Sequence, residues 1–305
     1  MGKRLSLSDY LFTLLFIVML AGGVGAFFYG VEVGKGQSAA KYEKLLSEKK
    51  AENHEFPAYH QQYLVSFYHT VFLPYREFQK VWFEAEEALA AGRAADAKSV
   101  MANVARAAER EYEAMDSAAL FPEHSGLLTD AHTKYLQSLK LFSNAAKKFD
   151  AAGRNGSELL AAVEADAYFR EAMQFGLDAQ RDFFTAISLW HESVDPSVKT
   201  DAVKREKLSF DDWNALGVNH KNRYVAGWLA RAGKFGNFYP QDLTLRIDEM
   251  IAQGNAAKMN LDDISEVAAT LVDTRAVRFG DFVSGKHLYY GNSPFPQLPF
   301  FFASN

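Results

Sequence analysis

Between residues 57 and 195 apolar side chains recur at alternating spacings of three and four, the period of a helix that turns one face to a core. The first series runs Leu64, Phe67, Val71, Tyr75, Phe78, Trp82, Ala85, Leu89 and ends at Gly92. The second runs Ala97, Met101, Val104, Ala108, Tyr112, Met115, Ala119 and ends before Pro122. The third, Leu128, Ala131, Tyr135, Leu139, Phe142, Ala146, Phe149, stops at Gly153, where GRNG supplies a turn. The fourth, with Ser157 as its candidate cap, reads Leu160, Val163, Ala167, Ala172, Phe175, Ala179, Phe183, Ala186, Trp190 and stops before Pro196. Short connections between long helices force neighbours to run antiparallel, so residues 57–195 are expected to form an up-down-up-down four-helix bundle. Pro74 lies inside the first helix and removes a backbone hydrogen bond, which predicts a kink or a break there.

A charged linker, residues 196–207, leads to a smaller helical module over 208–305. Ser209 followed by Asp212 is a capping pattern ahead of FDDWNAL. Helices are expected over 219–232 (Tyr224, Trp228 and Leu229 inward), 241–253 (Leu243, Ile247, Ile251) and 261–272 (Leu261, Ile264, Ala268, Leu271). Pro240 and Asn260 mark starts, and Gly233 and Gly254 mark stops. The end of the chain, YYGNSPFPQLPFFFASN, would be an aggregation liability if left loose. It is expected to lie extended across the body and bury Phe295, Leu298, Phe300, Phe301 and Phe302. No strand alternation is found, so the fold class is all-α.

The N-terminus has a different pattern. Residues 10–31 carry no charge, and at about 1.5 Å per residue they span ~33 Å, enough for a bilayer core. They are expected to be a single transmembrane signal-anchor between a cytoplasmic tail, 1–9, and a charged helical stalk, 32–56. A cleaved signal peptide ending at Val24-Gly25-Ala26 is the rival, but FFYGV continues the apolar run past that point. Counting cations on the two flanks does not orient the segment. The short tail with Lys3 and Arg4 reads as a signal-anchor that puts the body outside the cytoplasmic membrane. Gly22, Ala26, Gly30 and Gly34 form a stripe of small side chains that lets a second membrane helix approach closely. Self-association, or docking to another membrane protein, is the partner expectation.

Composition narrows the chemistry. A net charge of −5 with no cationic cluster offers nothing to nucleic acid. The absence of cysteine excludes disulfides, zinc–thiolate sites, iron–sulfur clusters and thiol nucleophiles, and fits an oxidising exterior. Phosphate-binding loops, nucleophile elbows and H-E-x-x-H are missing. No histidine has an acidic residue three positions before it, as a di-iron bundle requires. His60 and His69 fall on opposite sides of a straight helix, and His191 with Asp195 sits at a helix end. Glu109, Glu113 and Asp116, like Glu164, Glu171 and Asp178, lie among arginines and read as solvated faces. No catalytic residue, metal or cofactor is assigned.

The expectation is therefore a membrane-anchored, extracytoplasmic helical-bundle protein with a non-enzymatic interaction, scaffolding or sensing role at the cell envelope. Span, stalk and bundle resemble in arrangement the extracytoplasmic part of bacterial sensor proteins, with no diagnostic motif. No second span or signalling domain is read, so a signal would pass to a partner. The alternative is a small apolar or aromatic ligand held in a bundle pocket around Tyr63, Phe67, Tyr75 and Trp82, in the aromatic-rich first helix.

Overall fold

The structure, a computed structural model, describes Met19 and residues 57–92, 97–118, 121–122, 125–149, 156–195, 207–291 and 293–302. The proposed anchor apart from Met19, its stripe Gly22, Ala26, Gly30 and Gly34, the stalk, and most of the 196–207 linker lie outside the described residues. Among the described residues there are helices and no strands, and no helix is long and apolar enough to cross a membrane.

The first apolar series buries every one of its eight positions. Its backbone is helix α1 (Gln61–Phe67), a π turn (Tyr68–Phe72) and helix α2 (Leu73–Ala90) in direct succession. Pro74 thus does not break the rod. A proline ring crowds the carbonyl one turn back and offers no N–H. The preceding turn widens instead, with the Leu73 N–H donating to the Tyr68 carbonyl, and the apolar face continues through it.

Helices α3 (Ala97–Asp116) and α4 (Gly126–Lys148) follow the second and third series. The fourth series is two helices rather than one, α5 (Gly156–Glu164) and α6 (Ala167–Val194). Asp166 makes the break: its carboxylate accepts from the backbone N–H groups of Tyr168 at 2.9 Å and Phe169 at 3.3 Å, starting a new helix. Ala167, read as inward, is exposed at that new start.

Side-chain pairs set the directions. Phe67 meets Phe183 and Trp82 meets Phe169, each at 4.6 Å between ring centroids, so α1–α2 and α6 run antiparallel. His132 bonds the Met115 carbonyl while Ser143 bonds Glu109, so α3 and α4 are antiparallel. Lys134 pairs with Asp182 and Lys148 with Asp166, so α4 and α6 are too. Gly176 allows the closest approach in this core. A Cβ there would lie 2.0 Å from the Tyr75 hydroxyl, which is hydrogen-bonded to Ser138 at 2.8 Å.

The C-terminal elements are α7 (Phe210–Asn214), α8 (Val218–Ala232), α9 (Pro240–Ala252), α10 (Asn255–Lys258), α11 (Ile264–Asp273), α12 (Asp281–Tyr289) and a 3-10 turn, Pro299–Phe301. Ser209 caps α7 as expected, accepting from the Asp212 N–H at 3.1 Å, and Gly233 ends α8 at φ 61°. Helix α11 starts later than its apolar pattern, because Asn260 turns to φ 53° and the Asp263 carboxylate caps the Glu266 N–H at 3.0 Å.

Residues 55–305 form one compact unit, so the 196–207 boundary divides in sequence what shares a core in space. Leu177 of α6 packs with Leu208, Trp213, Tyr224 and Leu229, and the Phe300 ring lies 5.5 Å from both Tyr68 and Phe72. The tail buries Leu298, Phe300 and Phe301 while Phe302 stays exposed. It ends in a tight turn rather than a fully extended run. Asp242, in the first turn of α9, accepts from the Tyr239 N–H at 2.8 Å and the Phe282 N–H at 2.9 Å, tying the starts of α9 and α12 together.

Candidate anion site at Arg76

The π turn and α2 carry a second buried stripe, Tyr68, Phe72, Arg76 and Gln79, at spacings of four, four and three. Its neighbours are the segment between α8 and α9, the loop ahead of α12 and the tail. Arg76 is only 8% exposed. Its Nη1 donates to Gln79 Oε1 at 2.7 Å and its Nη2 to Asn237 Oδ1 at 3.4 Å. The guanidinium lies 4.4 Å from the centroid of the Tyr239 ring and 5.9 Å from that of Phe279.

None of these partners, among the described residues, is a carboxylate. A buried cation held only by neutral groups is costly; here the Tyr239 hydroxyl adds a hydrogen bond to those of the two amide oxygens.

Lys221 shows how the same chain treats another buried cation. Its ammonium is 2.9 Å from both oxygens of Asp248. The Trp213 Nε1 donates to the same carboxylate at 2.5 Å, and so does the Tyr290 hydroxyl. That network holds a counter-charge; among the described residues the partners of Arg76 do not.

The groups around Arg76 suit an anion. Burial pushes the Tyr68 and Tyr239 phenols above their ordinary range, with Arg76 opposing in both. Both stay protonated at neutral pH and can donate. Glu77 and Asp242 act on Tyr239 electrostatically. Asp242, pushed up to about 6 by burial, has its oxygens committed to the backbone N–H groups of Phe282, Tyr239 and Gly280. A cavity of about 10 Å³ beside Gln79, Gly236 and Phe238 has room for one water and no more. Toward solvent stand Asn237 and Phe279. Phe279 is 61% exposed, resting on Tyr239 at 5.3 Å, and is followed by Gly280 at φ 88°.

The residues singled out in the sequence lie elsewhere. Tyr63, Phe67, Tyr75 and Trp82 are buried. Their neighbours are protein rings: Phe67 packs against Phe121, Tyr135 and Phe183, Tyr75 against Tyr135 at 4.2 Å, and Trp82 against Phe142 and Phe169. His60 caps α1, accepting from the Gln62 N–H at 3.3 Å. The His191 and His220 rings lie 5.6 Å apart at a tilt of 46°, and His220 bonds Glu192 at 3.2 Å. Glu109 pairs with Lys147 and Asp178 with Arg181, while Glu113, Asp116, Glu164 and Glu171 are exposed. Among the described residues no group of three His, Asp or Glu could hold a metal.

Arg76 escaped the sequence reading although a signal was present: a charge four residues after Phe72 and eight after Tyr68, within an aromatic run. No protein-family model, curated protein or solved structure matches the chain.

Proposed function

We propose that the chain is a membrane-anchored helical module with a non-enzymatic sensing role at the cell envelope. The body receives a small anion, and the anchor relays occupancy to a membrane partner through the stripe Gly22, Ala26, Gly30 and Gly34. The apolar segment 10–31 supports the anchor. The reading of the body is carried by one observation, the buried guanidinium of Arg76, whose partners among the described residues, Gln79, Asn237 and Tyr239, are all neutral. Such a charge is a standing cost to the fold unless something else uses it. The site holds no nucleophile paired with a base, and binding is the chemistry it can perform.

Location is tested by introducing Ser197→Cys into a chain that has no other cysteine and treating intact cells with an impermeant maleimide. Labelling in the membrane fraction is expected. Labelling only after lysis would overturn the envelope assignment.

A further inference from the structure

On the last turns of α6 and the first turns of α8, buried polar atoms lack partners. Ser188 Oγ, His191 Nδ1, Asn219 Oδ1, His220 Nδ1 and both amide atoms of Asn222 have no hydrogen bond among the described residues. Such groups are a cost to the closed fold. We infer that His191 and His220 form a proton switch: protons taken up by the pair open the junction of α6 with the start of α8 and free the tail from Pro294 onward. This switch needs neither the bound anion nor Arg76.

Both rings are buried, with centroids 5.6 Å apart. A proton on either Nδ1 creates a buried cationic N–H without an acceptor, and protons on both set like charges against each other. Glu192 bonds His220 Nε2 at 3.2 Å but also faces Arg223 Nη1 at 3.7 Å, so one negative charge is shared. Gly217 gives α8 no side-chain cap, and a Cβ on it would lie 3.6 Å from His191 Cε1 and 3.9 Å from His220 Nδ1. The positive end of α8 is therefore beside both rings. Lys221 is paired with Asp248 of α9, and tail residues 294–302 carry no charge. Burial holds both rings below the ordinary 6.5; His220 adds to this at His191 and Arg223 at His220, while Glu192 opposes at both and Asp195 at His191. The pair is neutral at pH 7.5, and in acid the opened, wetted rings bind protons more readily than the closed ones.

The elements that carry the pair also hold the tail. Asn219, next to His220, donates to the Pro294 carbonyl at 2.9 Å. On α6, Phe184 lies seven residues before His191 on the same face and packs against Phe300 at 5.9 Å. Separating α6 from the start of α8 withdraws both supports. It also brings water to Ser188, Asn219 and Asn222, which offsets part of the cost of opening.

The test uses the full-length chain in lipid nanodiscs, with Leu298→Cys as a buried reporter in a chain that has no other cysteine. Its rate of reaction with dithiodipyridine is followed from pH 7.5 to pH 5. Dividing by the rate of a free peptide of residues 290–302 with the same cysteine removes the titration of the thiol itself. By linkage this ratio rises about tenfold per pH unit for each proton taken up on opening, so a steepest slope near two decades is expected. His191→Phe or His220→Phe is expected to reduce the slope to about one decade or less, and the double substitution to abolish the rise. A Val104→Cys reporter, buried in α3, is expected to stay protected throughout. Protonation of Asp242 in the same range favours the closed fold and works against the rise.

A flat ratio, a slope that never exceeds one decade, or a rise that persists in the double variant would overturn the inference. So would loss of protection at Val104→Cys in step with Leu298→Cys, which marks global unfolding. The slope is read with both histidines in place, so a variant that fails to fold leaves the test intact.

Discussion

Asp242 sets two physical effects against each other, and a single substitution shows which is larger. Its carboxylate accepts backbone N–H groups at the starts of two helices, where a negative charge is ordinarily favoured. It is also 1% exposed, and burial outweighs those donors, pushing it from 3.8 up to about 6. A folded value above the unfolded one means that the fold binds more protons between those limits. Its contribution is therefore fully present below pH 3.8 and is lost as pH rises through about 6. The rise corresponds to ~3 kcal/mol of stability surrendered by the native chain between pH 4 and pH 7.

Asp242→Asn keeps the shape and cannot ionise. At pH 4 it turns an amide NH2 toward one backbone donor, which costs about 1–3 kcal/mol for the unsatisfied N–H. At pH 7 the native chain carries its own penalty of similar size, so the difference between the two proteins should shrink to near zero or change sign. Urea denaturation of both proteins at several pH values between 4 and 7.5 measures this. Other titrations cancel in the difference. A cost of substitution that stays flat or grows with pH would refute the reasoning and show that the helix starts outweigh burial.

Truncating Asp248→Asn strands the Lys221 ammonium and should cost about 3–5 kcal/mol in chemical denaturation. Lys221→Met with Asp248→Leu should cost less than the sum of the single changes. Gly176→Ala drives a methyl group into the Tyr75 hydroxyl and should cost about 1–3 kcal/mol; combining it with Tyr75→Phe should recover part of that loss in the melting temperature, and no recovery would mean that the contact is not what strains the core. Burial holds His191 and His220 below the ordinary histidine value of 6.5. The unfolded chain then takes up protons that the fold refuses, and stability should fall as pH drops below about 6.5. Replacing both with Phe should flatten that limb in a pH series of melting temperatures.

How far the sequence reached depends on how local each feature is. The three-and-four spacing identified the inward faces of α1–α2 and α4 almost residue for residue, because an apolar stripe has only one way to leave water. Ser209, Gly233 and Gly254 marked termini correctly, since caps and left-handed turns are decided within a few residues. The break at Asp166 was also local, yet hidden, because the apolar period runs across it from Val163. Helix α12 carried no periodic signal: Phe282 is its one buried residue, and its start is held by Asp242, forty positions away.

The candidate site was decided by tertiary structure. Tyr63, Phe67, Tyr75 and Trp82 were singled out as a possible pocket lining; periodicity shows which side chains leave water, and the structure adds that Phe67, Tyr75 and Trp82 pack against other rings. Arg76 would be solvated on an isolated helix. It is buried because the segment carrying Asn237, 161 positions later in the chain, packs against it together with Tyr239 and Phe279. Sequence period determined the helices and their apolar faces. Only the packing of distant segments decided which charge would be enclosed with neutral partners among the described residues, because burial and counter-charge are properties of a neighbourhood that the folded chain assembles.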